Sequence, residues 1–144
     1  MAGMRVEKVV LIAAPASVVW DVVADVEGWP DLTASMTSVE KENPGGPLEV
    51  GSRVRIKQPR VPLMEWTVTE VVDGQRFVWE STGLGVRTSA AHTLLEVPGE
   101  TTLRLEIEQA GLLSTPLALV TRRMTHRYLD LETQGFKRRA ESLG

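Results

Sequence analysis

At 144 residues the chain is one domain's worth, long enough to bury roughly 70% of its unfolded surface. Apolar residues make up 42% and charged ones 24%, and a net charge of −3 carries no global signal for nucleic acid or an anionic membrane. The absence of cysteine excludes disulfides, thiol catalysis and thiolate metal sites, and two histidines in unrelated contexts, His92 and His126, argue against a transition-metal centre.

The N-terminus lacks a basic segment leading into a long apolar core, and no apolar run reaches the ~20 residues needed to span a bilayer. A soluble cytoplasmic protein with no cofactor and no metal is therefore expected. A strand-like run carrying Val6, Val9 and Leu11 breaks at Ala13-Ala14-Pro15. Pro15 suits the first turn of a helix, where its missing N–H is no loss. Val18, Val19, Val22, Val23 and Val26 then recur at helical spacing while Asp21 and Asp25 face away. Five valines lower helix propensity by a few tenths of a kcal/mol each, so this helix depends on packing. Trp29 to Met36 reads as a second short helix or turn carrying Trp29, Leu32 and Met36 inward, with Trp29 against the rim of any cavity.

Strands follow. Thr37 to Glu42 ends at Asn43-Pro44-Gly45-Gly46-Pro47, and Gly51 to Pro59 alternates Val54 and Ile56 with Arg53, Arg55 and Lys57. Leu63 to Val72 leads into Asp73-Gly74, a strong hairpin signal. Gln75 to Ser81 sets Phe77 and Trp79 against Arg76 and Glu80. Val86 to Val97 closes at Pro98-Gly99-Glu100, and Thr101 to Gln109 sets Leu103, Leu105 and Ile107 against Arg104, Glu106 and Glu108. Last comes a long helix, with Thr115 as N-cap, Pro116 at its first position, and Leu117, Val120, Met124, Tyr128 and Leu131 on one face. Gly135 inside it marks either a close approach to the first helix or a bend.

The order is strand, two short helices, six strands, long helix, with no repeat or linker, over a single domain of residues 1–144. Hairpin-length connections imply an α+β fold with one antiparallel sheet, wet on one face and dry on the other. Seven curved strands around one helix leave more inner surface than the helix covers, so an internal cavity is expected between them.

The segment APASVVWDVVADVEGWPDL at residues 14–32, the hairpin-linked strands, the glycine-started strand Gly51-Ser52-Arg53-Val54 and the closing amphipathic helix together resemble the START-like (SRPBCC) superfamily. Its helix-grip fold wraps a curved seven-stranded sheet around a long C-terminal helix. The likeness covers nearly the whole chain and points to the small bacterial polyketide cyclase/dehydrase and lipid-transport proteins. It specifies the container better than the contents, because the superfamily houses enzymes, carriers and regulators. It implies a hydrophobic ligand (lipid, quinone or aromatic polyketide-like) in the cavity. The alternatives are a polyketide aromatase/cyclase or dehydratase acting there, and a quinone- or ribosome-associated regulator using the basic helix face Arg122, Arg123, His126 and Arg127. No nucleic-acid partner and no integral membrane association are expected, and the chain is expected as a monomer or weak dimer.

Trp66 and Trp79, with Phe77 and Val68 beside them, could form an aromatic wall that grips a planar ligand, or could be plain core. Trp20 and Trp29 read as structural. The ligand-binding set is completed by Val54, Ile56, Gln58, Leu103, Leu105, Thr121, Met124 and Tyr128. For residues 86–97 two registers are open. One turns Arg87, Ser89, Ala91, Thr93, Leu95 and Val97 inward and His92 outward, and it is favoured because it keeps Glu96 in water. The other puts His92 in the cavity, where its near-neutral pKa would suit acid–base work. An inward Arg87 could anchor a ligand carboxylate or enolate oxygen. Arg87, Ser89 and Tyr128, with Gln58, are the candidates for proton transfer and oxyanion stabilisation. No Ser-His-Asp spacing, phosphate loop or paired-carboxylate motif is present.

Overall fold

The computed structural model describes residues 4–83 and 85–144. Strand β1 (Met4–Ile12) is followed by helix α1 (Ala16–Ala24) and a 3-10 helix (Val26–Asp31). Then come β2 (Ser38–Lys41), β3 (Arg53–Lys57), β4 (Met64–Val72), β5 (Arg76–Gly83), β6 (Val86–Val97), β7 (Glu100–Ala110) and α2 (Ser114–Leu143). The strands form one antiparallel sheet in the order β1-β7-β6-β5-β4-β3-β2. From β2 onward consecutive strands pair, β2 and β3 across the loop of residues 42–52 and the others through shorter connections. The segment holding both short helices carries the chain from one edge of the sheet to the other.

Alternation decides which residues meet. Across the concave face run two rows, Val68-Trp79-Ala90-Ile107-Val6 and Phe77-His92-Leu105. A register shift between Val68 and Glu70 inserts one residue into β4, so that Val71 rejoins the Phe77 row. Such a bulge strengthens local bend and twist. The core is sealed where the C-terminal half of α2 (Leu129, Phe136, Ala140) meets Val19, Val23, Trp29, Phe77 and Leu103. Gly135 makes that approach possible: a Cβ there would lie 2.4 Å from the carbonyl oxygen of Leu32. The approach is thus to the end of the 3-10 helix rather than to α1.

The favoured register of β6 is corrected. Arg87 and Ser89 lie on the outer face, where Arg87 Nε sits 3.6 Å from Glu80, whereas Thr88, Ala90, His92 and Leu94 are buried on the inner face. The two-residue Pro98-Gly99 turn pairs Val97 with Glu100, which sets His92 opposite Leu105. Glu96 remains exposed on the inner-face phase because β6 there runs past the core, and its carboxylate lies 3.4 Å from the Ala16 N–H opening α1. Keeping Glu96 in water therefore required no change of register. The start of α2 also differs. The helix begins at Ser114 after Leu113, with no side-chain cap, and the Ser114 hydroxyl donates to the Gly111 carbonyl.

A cavity with two buried ionisable groups

A cavity of about 810 Å³ lies between the sheet and the N-terminal half of α2. The exposure of its lining gives it a direction. Arg60, Pro62, Leu63, Thr82 and Gly83 are exposed and mark the mouth, at the β3–β4 loop and the β5–β6 turn. Trp29, Met36, Trp79, Ala90, His92, Leu105, Leu129 and Glu132 are buried and form the closed end. The hollow exists because small residues face large ones. Ala90 and Thr88 stand on the inner face of β6 beside Trp79 and Ser81 of β5, and Thr121 occupies the facing turn of α2.

Of the residues expected to hold a ligand, Trp66, Trp79, Ile56, Gln58, Leu105, Thr121, Met124 and Tyr128 line this cavity. Phe77, Val54, Val68 and Leu103 do not; other side chains seal them, at no more than 1% exposure. Trp29, expected at the rim, is fully buried at the closed end. Its ring lies 5.3 Å from Trp79 and 5.1 Å from Phe136, and its Nε1 donates to the Val23 carbonyl. Tyr128 donates its hydroxyl to the Pro59 carbonyl, so it fastens the β3–β4 loop to α2 and its proton is already engaged. Arg87 and Ser89 instead border a polar recess of about 420 Å³ on the outer face, with Arg5, Glu80 and Glu108.

Two ionisable groups at the closed end change what the cavity can do. His92 is 4% exposed, stacked on Phe77 at 4.0 Å and edge-on to Trp79. Burial among these rings pushes its pKa down to about 3, against a small upward pull from the Phe77 carbonyl and a further lowering by Arg76. Nδ1 lies 3.3 Å from that carbonyl, which can only accept. The ring is therefore the neutral Nδ1–H tautomer, and Nε2 carries a lone pair.

Glu132 comes from α2 and is 7% exposed. Burial drives its pKa up to about 8, opposed by a 3.3 Å hydrogen bond from the Ser35 hydroxyl, which is itself paired with Thr33. At neutral pH Glu132 is thus mainly the protonated acid, able to donate. Sequence reasoning missed it, although the signal was there: Glu132 follows Met124 by eight residues and Tyr128 by four, on the same inward stripe. Among the described residues no cluster of His, Asp or Glu is arranged to hold a metal ion. Nor is any described helix long and apolar enough to cross a membrane.

The family described as polyketide cyclase/dehydrase and lipid transport matches residues 4–141. No curated protein matches the chain by sequence. Among solved structures, a START superfamily protein from Mycobacterium smegmatis superposes with a TM-score of 0.76 at 17% identity, covering 99% of this chain and 100% of its own. The Zhui aromatase/cyclase from Streptomyces sp. R1128 gives 0.68 at 21%, covering 96% and 92%. Norcoclaurine synthase from Thalictrum flavum, solved with dopamine and hydroxybenzaldehyde, gives 0.72 at 14%, covering 94% and 84%. At these identities the likeness is one of fold.

Proposed function

Since this chain belongs to the polyketide cyclase/dehydrase and lipid-transport family of the START/SRPBCC superfamily, we propose that it binds a hydrophobic small molecule in the cavity between sheet and α2. The ligand is a neutral, oxygen-bearing compound of the quinone, polyketide or uncharged-lipid kind. Its apolar body packs among Trp66, Trp79, Met36 and Met124. One oxygen accepts from the Glu132 carboxyl, and a hydroxyl donates to His92 Nε2.

The observation that carries this reading is the paired neutrality of the two buried groups. Among the described residues no Lys or Arg lines the closed end, so a ligand carboxylate there would be a buried charge without a partner. An uncharged hydroxyl or carbonyl instead meets a donor and an acceptor already desolvated, which favours binding.

The same pair supports an enzymatic reading, a cyclase or dehydratase. A protonated carboxyl can give a proton to a substrate carbonyl oxygen, while the imidazole, a weak base at a pKa of about 3, orients the substrate by accepting a hydrogen bond at Nε2. In that reading Arg87 and Ser89, on the outer face of the sheet, have no part in the chemistry, whereas Gln58 remains in the cavity lining.

Native mass spectrometry of protein purified from its own cells, with ligand extraction, tests the binding reading. A co-purifying neutral oxygenated compound is expected, released by Trp66→Ala/Trp79→Ala and weakened about tenfold by His92→Phe or Glu132→Leu. Recovery of anionic lipid alone, or affinities indifferent to all four changes, would remove it. Turnover of a poly-β-ketone by the wild type, lost in His92→Phe with binding retained, would select the enzyme.

A further inference from the structure

We infer that the mouth of the cavity, with the exposed face of the first turns of α2, docks on an anionic lipid bilayer. Leu112 is 94% exposed, Val120 81% and Leu119 69%, and Leu63 on the facing β3–β4 loop is also exposed. Exposed leucines scattered singly need no explanation, but Leu63 lines the opening, and Leu112, Leu119 and Val120 lie at or just before the α2 turns whose Leu117 and Thr121 border the same cavity. Arg122, Arg123 and Arg127 rise from the same turns of α2, and Arg60 stands on the loop. None of the four has an ion-pair partner among the described residues.

Charge distribution singles this face out. From Gly111 to Leu129 there is no Asp or Glu and there are three arginines, in a chain whose net charge is −3. Within the mouth lining Arg60 is matched by the exposed Glu65, so the unmatched positive charge of this face is that of α2. Apolar side chains projecting between unpaired arginines are what an interfacial helix presents to a bilayer, the former entering the headgroup boundary and the latter meeting lipid phosphates. A second copy fits worse, since a two-fold contact would set these arginines against themselves. RNA fits worse too, because no exposed aromatic stands on the face to stack a base, and Tyr128 is held by Pro59.

The inference stands apart from what fills the cavity. Sedimentation of the full chain with phosphatidylcholine vesicles, with and without phosphatidylglycerol, tests it. Binding is expected only with phosphatidylglycerol and should weaken as salt rises. Arg122→Gln and Arg123→Gln should each lower it about fivefold. Leu119→Ser/Val120→Ser should lower it by a similar factor at unchanged salt dependence. All four positions are exposed, so near-ultraviolet circular dichroism should be unaltered. Absence of vesicle binding would overturn the inference. So would binding that survives the leucine and valine changes, dimerisation through this face, or sedimentation with ribosomes or RNA lost only on removing arginine.

Discussion

His92 and Glu132 are each held uncharged at neutral pH by burial, and that leaves opposite marks on stability. His92 titrates near 3 in the folded chain against an ordinary 6.5, so between these values the unfolded chain binds more protons and stability falls as pH falls. Glu132 titrates near 8 against an ordinary 4.5, so between these values the folded chain binds more protons and stability falls as pH rises. From 4.5 to 6.5 the two slopes oppose and largely cancel. Above 6.5 the Glu132 slope acts alone, and below 4.5 the His92 slope adds to the general acid titration. Urea unfolding across pH should therefore give a broad maximum, with an alkaline limb of up to about 1.4 kcal/mol per pH unit. Glu132→Gln should flatten that limb while leaving the acid side in place, and His92→Phe should do the reverse. An alkaline limb unchanged in Glu132→Gln would mean that Glu132 is ionised and solvated in the folded chain. Glu132 was legible as an inward-facing position from its spacing to Tyr128. Its protonation was not, since that depends on how completely the folded chain desolvates the carboxyl, against the opposing hydrogen bond of Ser35, 97 residues away.

At the scale of elements, Gly135 separates a packing role from a mere irregularity. In an isolated helix, alanine at this position would gain about 1 kcal/mol. Here its Cβ would fall 2.4 Å from the Leu32 oxygen and 3.1 Å from the Leu32 carbon, both backbone atoms with the 3-10 helix behind them. Overpacking of this kind costs typically about 1–3 kcal/mol and here outweighs the gain in propensity. Gly135→Ala should lower stability by about 1–2 kcal/mol, and with it Tm by several degrees, whereas Gln134→Ala on the exposed side of the same turn should lie within about 0.5 kcal/mol of wild type. A Gly135→Ala chain as stable as wild type would show that α2 can slide along the 3-10 helix. The element order, the curved seven-stranded sheet and the closing helix were legible because alternation and turn residues are local signals. The face of β6 was misjudged through weight placed on Glu96, a strand-end residue whose solvation does not report register. Counting back from the two-residue Pro98-Gly99 turn puts His92 beside Leu105, so the register was readable from the turn. Close approach of Gly135 to Leu32 was not, because no local pattern records which backbone a glycine meets.

At the scale of the molecule, α2 divides its labour along its length. The C-terminal half, with Leu129, Phe136 and Ala140, closes the core, while the N-terminal half leaves the cavity beneath Thr121 and Met124. Filling that space should therefore act on the stability of the whole fold by mass action. A ligand at a hundred times its Kd adds about 2.7 kcal/mol, on the order of 10 °C in Tm at this chain length. The closed end should make that gain sensitive to ligand charge. A matched pair, 2-naphthol and 2-naphthoate, offers the same ring system with an uncharged and a charged oxygen group. At pH 7 naphthol can donate to His92 Nε2 and accept from Glu132. Naphthoate at the same site must bury an anion beside a group that releases its own proton only near pH 8, with no Lys or Arg lining that end among the described residues to pair with it. Thermal melts should show naphthol raising Tm and naphthoate raising it little. The gap should close below about pH 4, where the carboxylate takes up its proton. It should persist in Arg60→Gln, because Arg60 lies at the mouth, remote from the buried pair. Equal stabilisation by both compounds at pH 7 would place the ligand's polar end at the mouth and leave His92 and Glu132 as packing groups. A gap that narrows only in His92→Phe and Glu132→Leu would tie the cavity's choice of ligand to the two walls that the sheet and α2 bring together.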